Sequence, residues 1–301
     1  MSWWGEDSKS IMINIGKVLD YPIACKESWR QWRKEITSLL GCASASMVSA
    51  FYGHHYDSYQ KALINHVSGV VDAQTGYSMA DQAKLHGEMK EPIAKRAFME
   101  IADAVTFEVL DNGETTHIVA MVDMAGYAAF IMCTPDMIAN INGKKRVIEF
   151  KCPYFEIKNR EQRANRSIGK IAEDFAFKHK HGKQGSFIQA MIYAVFCAGC
   201  TNFTTFYYFT DDIDESAVAF YYNIPDLQDA ASIIMRAAED IKHNLAKEPG
   251  DIKARTRTQD KRDMTKRMAE WHTGTFIYHF KDDGKWHSSD SDEEASDNSK
   301  E

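Results

Sequence analysis

The chain is expected to fold as an α/β protein, a central mixed β-sheet flanked by helices, on three observations. Stretches with helical spacing of apolar residues are interleaved with short β-rich runs. Those runs are separated by compact Asn-Gly and Ala-Gly turns. At 301 residues and 44% hydrophobic content, the chain is long and apolar enough to bury a full core.

Taken in order, Met12–Leu19 reads as a short strand or helix. Over Lys26–Leu40, Trp29, Trp32, Ile36, Leu39 and Leu40 recur at helical spacing, with Arg30, Arg33 and Lys34 on the polar side. Gly41–Ser46 is a small, hydroxyl-rich turn leading into a helix that starts over Met47–Tyr52. Ser44 and Ser46 there either help backbone N–H groups hold a phosphate or simply cap the helix. Tyr56–Val71 predicts a helix, and His54, His55 and His66 read as surface or capping groups. Gln82–Glu100 predicts another. In it Glu91 falls among Ile93, Ala94, Ala97 and Phe98, either as a first-turn charge favoured by the helix dipole or as an acidic metal ligand.

Thr106–Leu110, His117–Met124 and Ala128–Thr134 are β-rich. Ser186–Ala198 predicts a long apolar helix whose odd polar member is Gln189; a buried glutamine must be hydrogen-bonded. Phe203–Phe209 and Ala217–Tyr222 predict a strand pair, Leu227–Leu245 a helix, and Trp271–Phe280 an aromatic strand. One domain is expected over 1–286, with a core at about 29–225 and a helical, basic extension at about 226–286. The acidic stretch 287–301 is expected to be disordered.

The net charge is −7, but eight acids from Asp282 onward face only Lys285 and Lys300 there, so the body is close to neutral. Local basic segments therefore remain compatible with nucleic acid. One spans 158–183, including Lys178, Lys180 and Lys183, and reads either as a solvated helix and loop or as a groove that tracks a phosphate backbone. A second spans 253–267. No apolar run approaches the length needed to cross a membrane, and Met1–Asp7 lacks the basic and apolar regions of a secretory signal. The six scattered cysteines suit reduced thiols in an intracellular, non-secreted protein. Cys197-x-x-Cys200, with no second pair at zinc spacing, reads as packing.

The chemistry concentrates in Thr134–Ile138 and Val147–Pro153. These read as one strand ending at Asp136, a turn through Asn142-Gly143, and a second strand carrying Glu149, Phe150 and Lys151. Alternate strand residues share a face, so Glu149 and Lys151 point together and Phe150 points into the core. Two carboxylates and an ammonium converging on one point are costly to bury unpaired. A divalent cation and an anionic substrate resolve that cost, which suggests metal-assisted phosphodiester cleavage. Glu-x-Lys alone carries little, since Glu88/Lys90 and Glu156/Lys158 repeat it on what reads as solvated surface.

Asp136, Glu149 and Lys151 together resemble the PD-(D/E)xK nuclease signature. Thr134-Pro135-Asp136-Met137-Ile138 followed by Ile148–Pro153 resembles the lambda exonuclease family, the YqaJ-type viral recombinases. Gly87…Glu91-Pro92…Ala94, Gly41–Ser46, and Gln189 with Tyr193 are similar to further segments of that family, in the same order. The resemblance implies a restriction-endonuclease-like core and a Mg²⁺-dependent 5′-to-3′ exonuclease on double-stranded DNA, with Mn²⁺ a possible substitute. It implies Asp136, Glu149, the Phe150 carbonyl and Glu91 as metal ligands, with Lys151 and Gln189 beside them as catalytic residues. It implies substrate contacts at Ser44 and Ser46, with Arg30 or Arg33 in place of a family arginine that is Leu39 here. Lys178, Lys180 and Lys183 are added from the basic run. A single-strand annealing partner and a toroidal homotrimer are also implied, in a bacterial host or an infected eukaryotic cell. The long gap from Glu91 to Asp136 suggests a hairpin inserted near 105–125. A structure-specific endonuclease, an RNA-degrading relative, and a catalytically idle DNA-binding or annealing protein are the alternatives.

Overall fold

The computed structural model describes residues 13–54, 58–68, 79–102, 106–154, 167–211 and 214–289. The charged positions Lys158, Arg160, Arg163 and Arg166, His55, and the stretch 290–301 lie outside them.

Among the described residues the strands form two sheets. The smaller has the order β1 (Asn14–Pro22), β4 (Thr115–Val122), β5 (Ala128–Cys133) and β2 (Ala43–Ser44). The larger runs β11 (Trp286–Ser288), β10 (His272–Phe280), β9 (Glu215–Asn223), β8 (Asn202–Thr210), β7 (Lys144–Lys151), β6 (Met137–Ile141) and β3 (Phe107–Asp111). Its neighbours are antiparallel except β7 and β8, which run parallel, so the sheet is mixed as expected. A parallel pair needs a crossover. Its described part holds α5 (Ile168–Lys178) and α6 (Gln184–Tyr193).

The remaining helices are α1 (Lys26–Leu40), α2 (Ala45–Phe51), α3 (Tyr59–Ser68), α4 (Met79–Ile101), α7 (Leu227–Leu245) and α8 (Thr258–Trp271). Their signals are local. Gly41 ends α1 in the left-handed region at φ 62°, and its N–H bonds back to Thr37 O. Asp226 caps α7 by accepting from Gln228 N and Asp229 N.

The large sheet is covered on both faces, which is why β7 and β8 read as near-continuous apolar runs. Val147, Phe203, Tyr207 and Phe209 pack with α2, α6 and α7. Ile148, Phe150, Phe206 and Tyr208 pack on the other side with Ala94, Ala97 and Phe98 of α4. Phe98, Phe150 and Phe206 meet edge to face at 5.3–5.8 Å. Each such buried ring contributes about 1.5–3 kcal/mol.

Three expectations need correcting. β3 and β4 are not a hairpin: β3 edges the large sheet beside β6, whereas β4 sits between β1 and β5. The turn between them crosses from one sheet to the other. The apolar helix over 186–198 is α6 followed by a π-helical turn, Ala194–Ala198, ending at Gly199 with φ 58°. A π turn absorbs an extra residue without breaking the helix. Glu91 is no first-turn charge either, because α4 begins at Met79 and Glu91 lies well inside it. The ambiguous N-terminal stretch is strand β1.

Candidate active site

Asp136 stands just before β6 rather than at the end of a strand. Met137 pairs antiparallel with Ile148, which sets Asp136 opposite Glu149. The Phe150 N–H donates to Asp136 Oδ2 at 2.9 Å, fixing the carboxylate on the neighbouring strand. Glu149 is 2% exposed. The Lys151 ammonium donates to its Oε1. Glu149 and Lys151 thus share a face, and Phe150 is buried on the other.

Glu149 Oε2 is buried and meets no donor among the described residues. Leaving such an acceptor unmet costs on the order of 1–3 kcal/mol, more for a charged group. Burial and the neighbouring Asp136 carboxylate push the Glu149 carboxyl up to about 8. Burial likewise raises Asp136, with Glu91 adding to the effect and Lys151 and the Phe150 N–H opposing it. Burial alone would lower the Lys151 ammonium, but Glu149 and Asp136 outweigh it and hold it above its ordinary value. The centre is two carboxylates sharing one strong cation, with an acceptor to spare.

Glu91 approaches from α4. Its Oε1 lies 2.9 Å from Lys95 Nζ, one helical turn on. Among the described residues no three Asp, Glu, His or Cys groups stand close enough to enclose a metal ion. In this arrangement Glu91 is turned to Lys95 and Glu149 to Lys151.

Gln189 is half-buried on α6, one turn before Tyr193. Residues four apart share a helix face. Burial, then Glu149 and Asp136, raise the Tyr193 phenol well above its ordinary value, which places that face toward the two carboxylates. Gln189 is not the fully buried glutamine expected, so its amide has no obligatory partner.

Ser44 caps α2, accepting from Met47 N at 3.4 Å, and its hydroxyl lies 3.0 Å from that of Ser46. Arg30 is exposed. Arg33 is half-buried with its guanidinium 4.6 Å from the Trp29 ring. Burial lowers it while Tyr193 acts in the other sense. No acid pairs with Arg33 among the described residues, and it is the cation of α1 turned inward, whereas Leu39 is 77% exposed. Lys178, Lys180 and Lys183 are exposed and also lack acidic partners among the described residues. Lys183 lies 5.2 Å from the Phe175 ring, and its N–H donates to Tyr207 Oη at 3.3 Å. Tyr207 pairs in register with Lys151, so this loop touches the strand beside the one that carries the candidate site.

The model of the YqaJ-like viral recombinase domain matches residues 28–181, just over half of the chain. The chain belongs to the YqaJ-like viral recombinase family. No curated protein matches it. The matched span holds α1, α2, α4, β6 and β7, and with them Glu91, Asp136, Glu149 and Lys151; Gln189 lies beyond it. The fold is accordingly the PD-(D/E)xK one, and membership implies a nuclease of viral recombination that binds DNA. Among the described residues of this YqaJ-like chain no helix is long and apolar enough to cross a membrane.

Sequence reasoning missed Lys95. Its signal was present: a Glu-to-Lys spacing of four inside a predicted helix. It also missed His117, whose ring nitrogens lie 2.7 Å from Asp20 Oδ1 and 2.9 Å from Asp111 Oδ2. That bridge joins β1 of one sheet to β3 of the other, and nothing local in the sequence pairs those strands.

Proposed function

We propose that this protein is a Mg²⁺-dependent deoxyribonuclease that resects double-stranded DNA from a 5′ end. The observation that carries this reading is the pairing of Asp136 and Glu149 beside Lys151, with one buried Glu149 oxygen left unmet. That donor set fits a hard divalent cation, which takes carboxylate and carbonyl oxygens. Asp136, Glu149 and the Phe150 carbonyl would hold it, with Glu91 joining them. Bound Mg²⁺, or Mn²⁺ in its place, supplies Lewis acidity toward the phosphate and lowers the pKa of a water.

The chain's own groups do the rest. Lys151 is held protonated by its two acids, so it orients the attacking water or stabilises charge building on the phosphate oxygens. Gln189 and Tyr193 line the helix side of the site. Lys178, Lys180 and Lys183 give the phosphate backbone an approach that carries no sequence preference. Ser44 and Ser46 with Arg33, more than Arg30, form the terminal phosphate contact. Polarity, an annealing partner and a ring-shaped homo-oligomer rest on the family resemblance.

Leu39, standing where the family has an arginine, is the specific observation behind a second reading, a structure-specific endonuclease or RNA-degrading relative. A digestion time course on 5′-phosphorylated, 5′-hydroxyl and covalently closed circular duplexes, with and without Mg²⁺, separates them. The expected result is Mg²⁺-dependent shortening of both linear duplexes and an intact circle. Cleavage of the circle would move the protein to the endonuclease reading. No cleavage of any duplex with Mg²⁺ would remove the nuclease one.

A further inference from the structure

We propose that Lys95 is a built-in counter-ion of the carboxylate cluster, occupying Glu91 when no metal is bound and weakening divalent-cation binding there. Lys95 is largely buried, its side chain 12% exposed. It reaches Glu91 Oε1 at 2.9 Å and donates to the Asn112 carbonyl at 3.0 Å, in the turn between β3 and β4. That turn lies against Asp136. A Cβ placed on Gly113 would stand 3.4 Å from Lys95 Nζ and 3.3 Å from Asp136 O. The ammonium is thus seated between Glu91 and the turn that packs on the backbone of Asp136.

The cluster then has a simple charge balance. Lys151 compensates Glu149 and Lys95 compensates Glu91, around the Asp136 carboxylate. A divalent cation entering this space is repelled by Lys95 and must compete with it for Glu91. Removing the ammonium frees Glu91 and leaves Lys151 as the cation the metal still faces. A unit charge several ångströms from a doubly charged ion, at an effective dielectric near that of partly buried sites, changes affinity about tenfold or more. Lys95 acts through Glu91 and touches no reacting atom, so it is a positioning residue.

The test is calorimetric titration of the full chain with Ca²⁺, which binds without turnover as the probe, together with thermal unfolding with and without Ca²⁺. Lys95→Gln removes the charge and keeps a donor for the Asn112 carbonyl; Lys95→Met removes both; Lys95→Arg keeps the charge. Lys95→Gln and Lys95→Met are expected to bind Ca²⁺ about tenfold more tightly than the wild type. They should also be less stable than the wild type without Ca²⁺ and close to it when saturated. Lys95→Arg should match the wild type. Unchanged or weaker binding by Lys95→Gln overturns the inference. So does an equal stability loss with and without Ca²⁺, which is what a purely structural bond to Asn112 would give. The inference rests on reading Asp136 and Glu149 as a cation site, and the wild type tests that separately. A wild type that binds no Ca²⁺ removes both readings. A wild type that binds, beside an unchanged Lys95→Gln, removes this one alone.

Discussion

Glu149 links protonation, cation binding and stability in a single side chain. Its carboxyl is raised from 4.5 to about 8 by burial and by Asp136. A raised acid favours the fold while it is protonated. That contribution is complete below about 4.5 and is lost as the pH climbs through about 8. A cation binds the ionised form, so below about pH 8 protons compete with it, costing about tenfold in affinity per pH unit for one displaced proton. The stabilisation by Mg²⁺ should therefore be small near pH 6 and grow toward pH 9, read as the difference in melting temperature with and without the ion. A Mg²⁺ effect independent of pH would sever Glu149 from the cation. Much of this site was legible in the residues. The period of two along a strand sets Glu149 and Lys151 on one face, and the short Asn142-Gly143 turn brings Asp136 back beside them. The bond from Lys95 to Asn112 was not. It depends on a carbonyl delivered by a turn whose path no local pattern specifies.

At the level of elements, the loop between α5 and α6, which carries Lys180 and Lys183, turns at one glycine. Gly182 has φ +85°, and a Cβ there would stand 2.2 Å from Tyr222 Oη, the hydroxyl that donates to His181 O. Backbone strain and a lost close contact act together. Gly182→Ala should cost roughly 2 kcal/mol or more of folding stability and displace the Lys178–Lys183 loop. Denaturant unfolding measures the first, and a loss no larger than that of an exposed substitution would show the loop to be free to shift. Helix bounds such as Lys26–Leu40 and Leu227–Leu245 were legible because helical periodicity and capping are written locally. Strand partners were not. β3 and β4 both read as short β-rich runs, and alternation alone does not say that they belong to different sheets. The π turn over Ala194–Ala198 was invisible for a similar reason. Its apolar residues satisfy a helical pattern whether or not one residue is absorbed.

Across the whole molecule, the family-matched span ends at residue 181, yet elements beyond that point pack against the strand that carries Glu149 and Lys151. β8 pairs with β7 along Arg146–Lys151, and α6 brings Gln189 and Tyr193 to the helix side. The acids crowded from Asp282 onward leave the remainder near neutral, and Lys183 meets Tyr207 on the strand next to β7. The mixed sheet covered on both faces was expected from interleaved helical and strand-like runs. The split into two sheets joined through Asp20, His117 and Asp111 arises only when distant strands meet. The proposed division of labour between a backbone-tracking surface and a carboxylate–lysine centre would make binding and cleavage separable. The most direct measurement is cleavage of a linear duplex by Lys151→Ala in Mg²⁺, with DNA binding measured on the same preparation. The expected result is a loss of cleavage of about a hundredfold or more with binding retained. Cleavage at the wild-type rate would contradict the role given to Lys151 and, with it, the proposed centre.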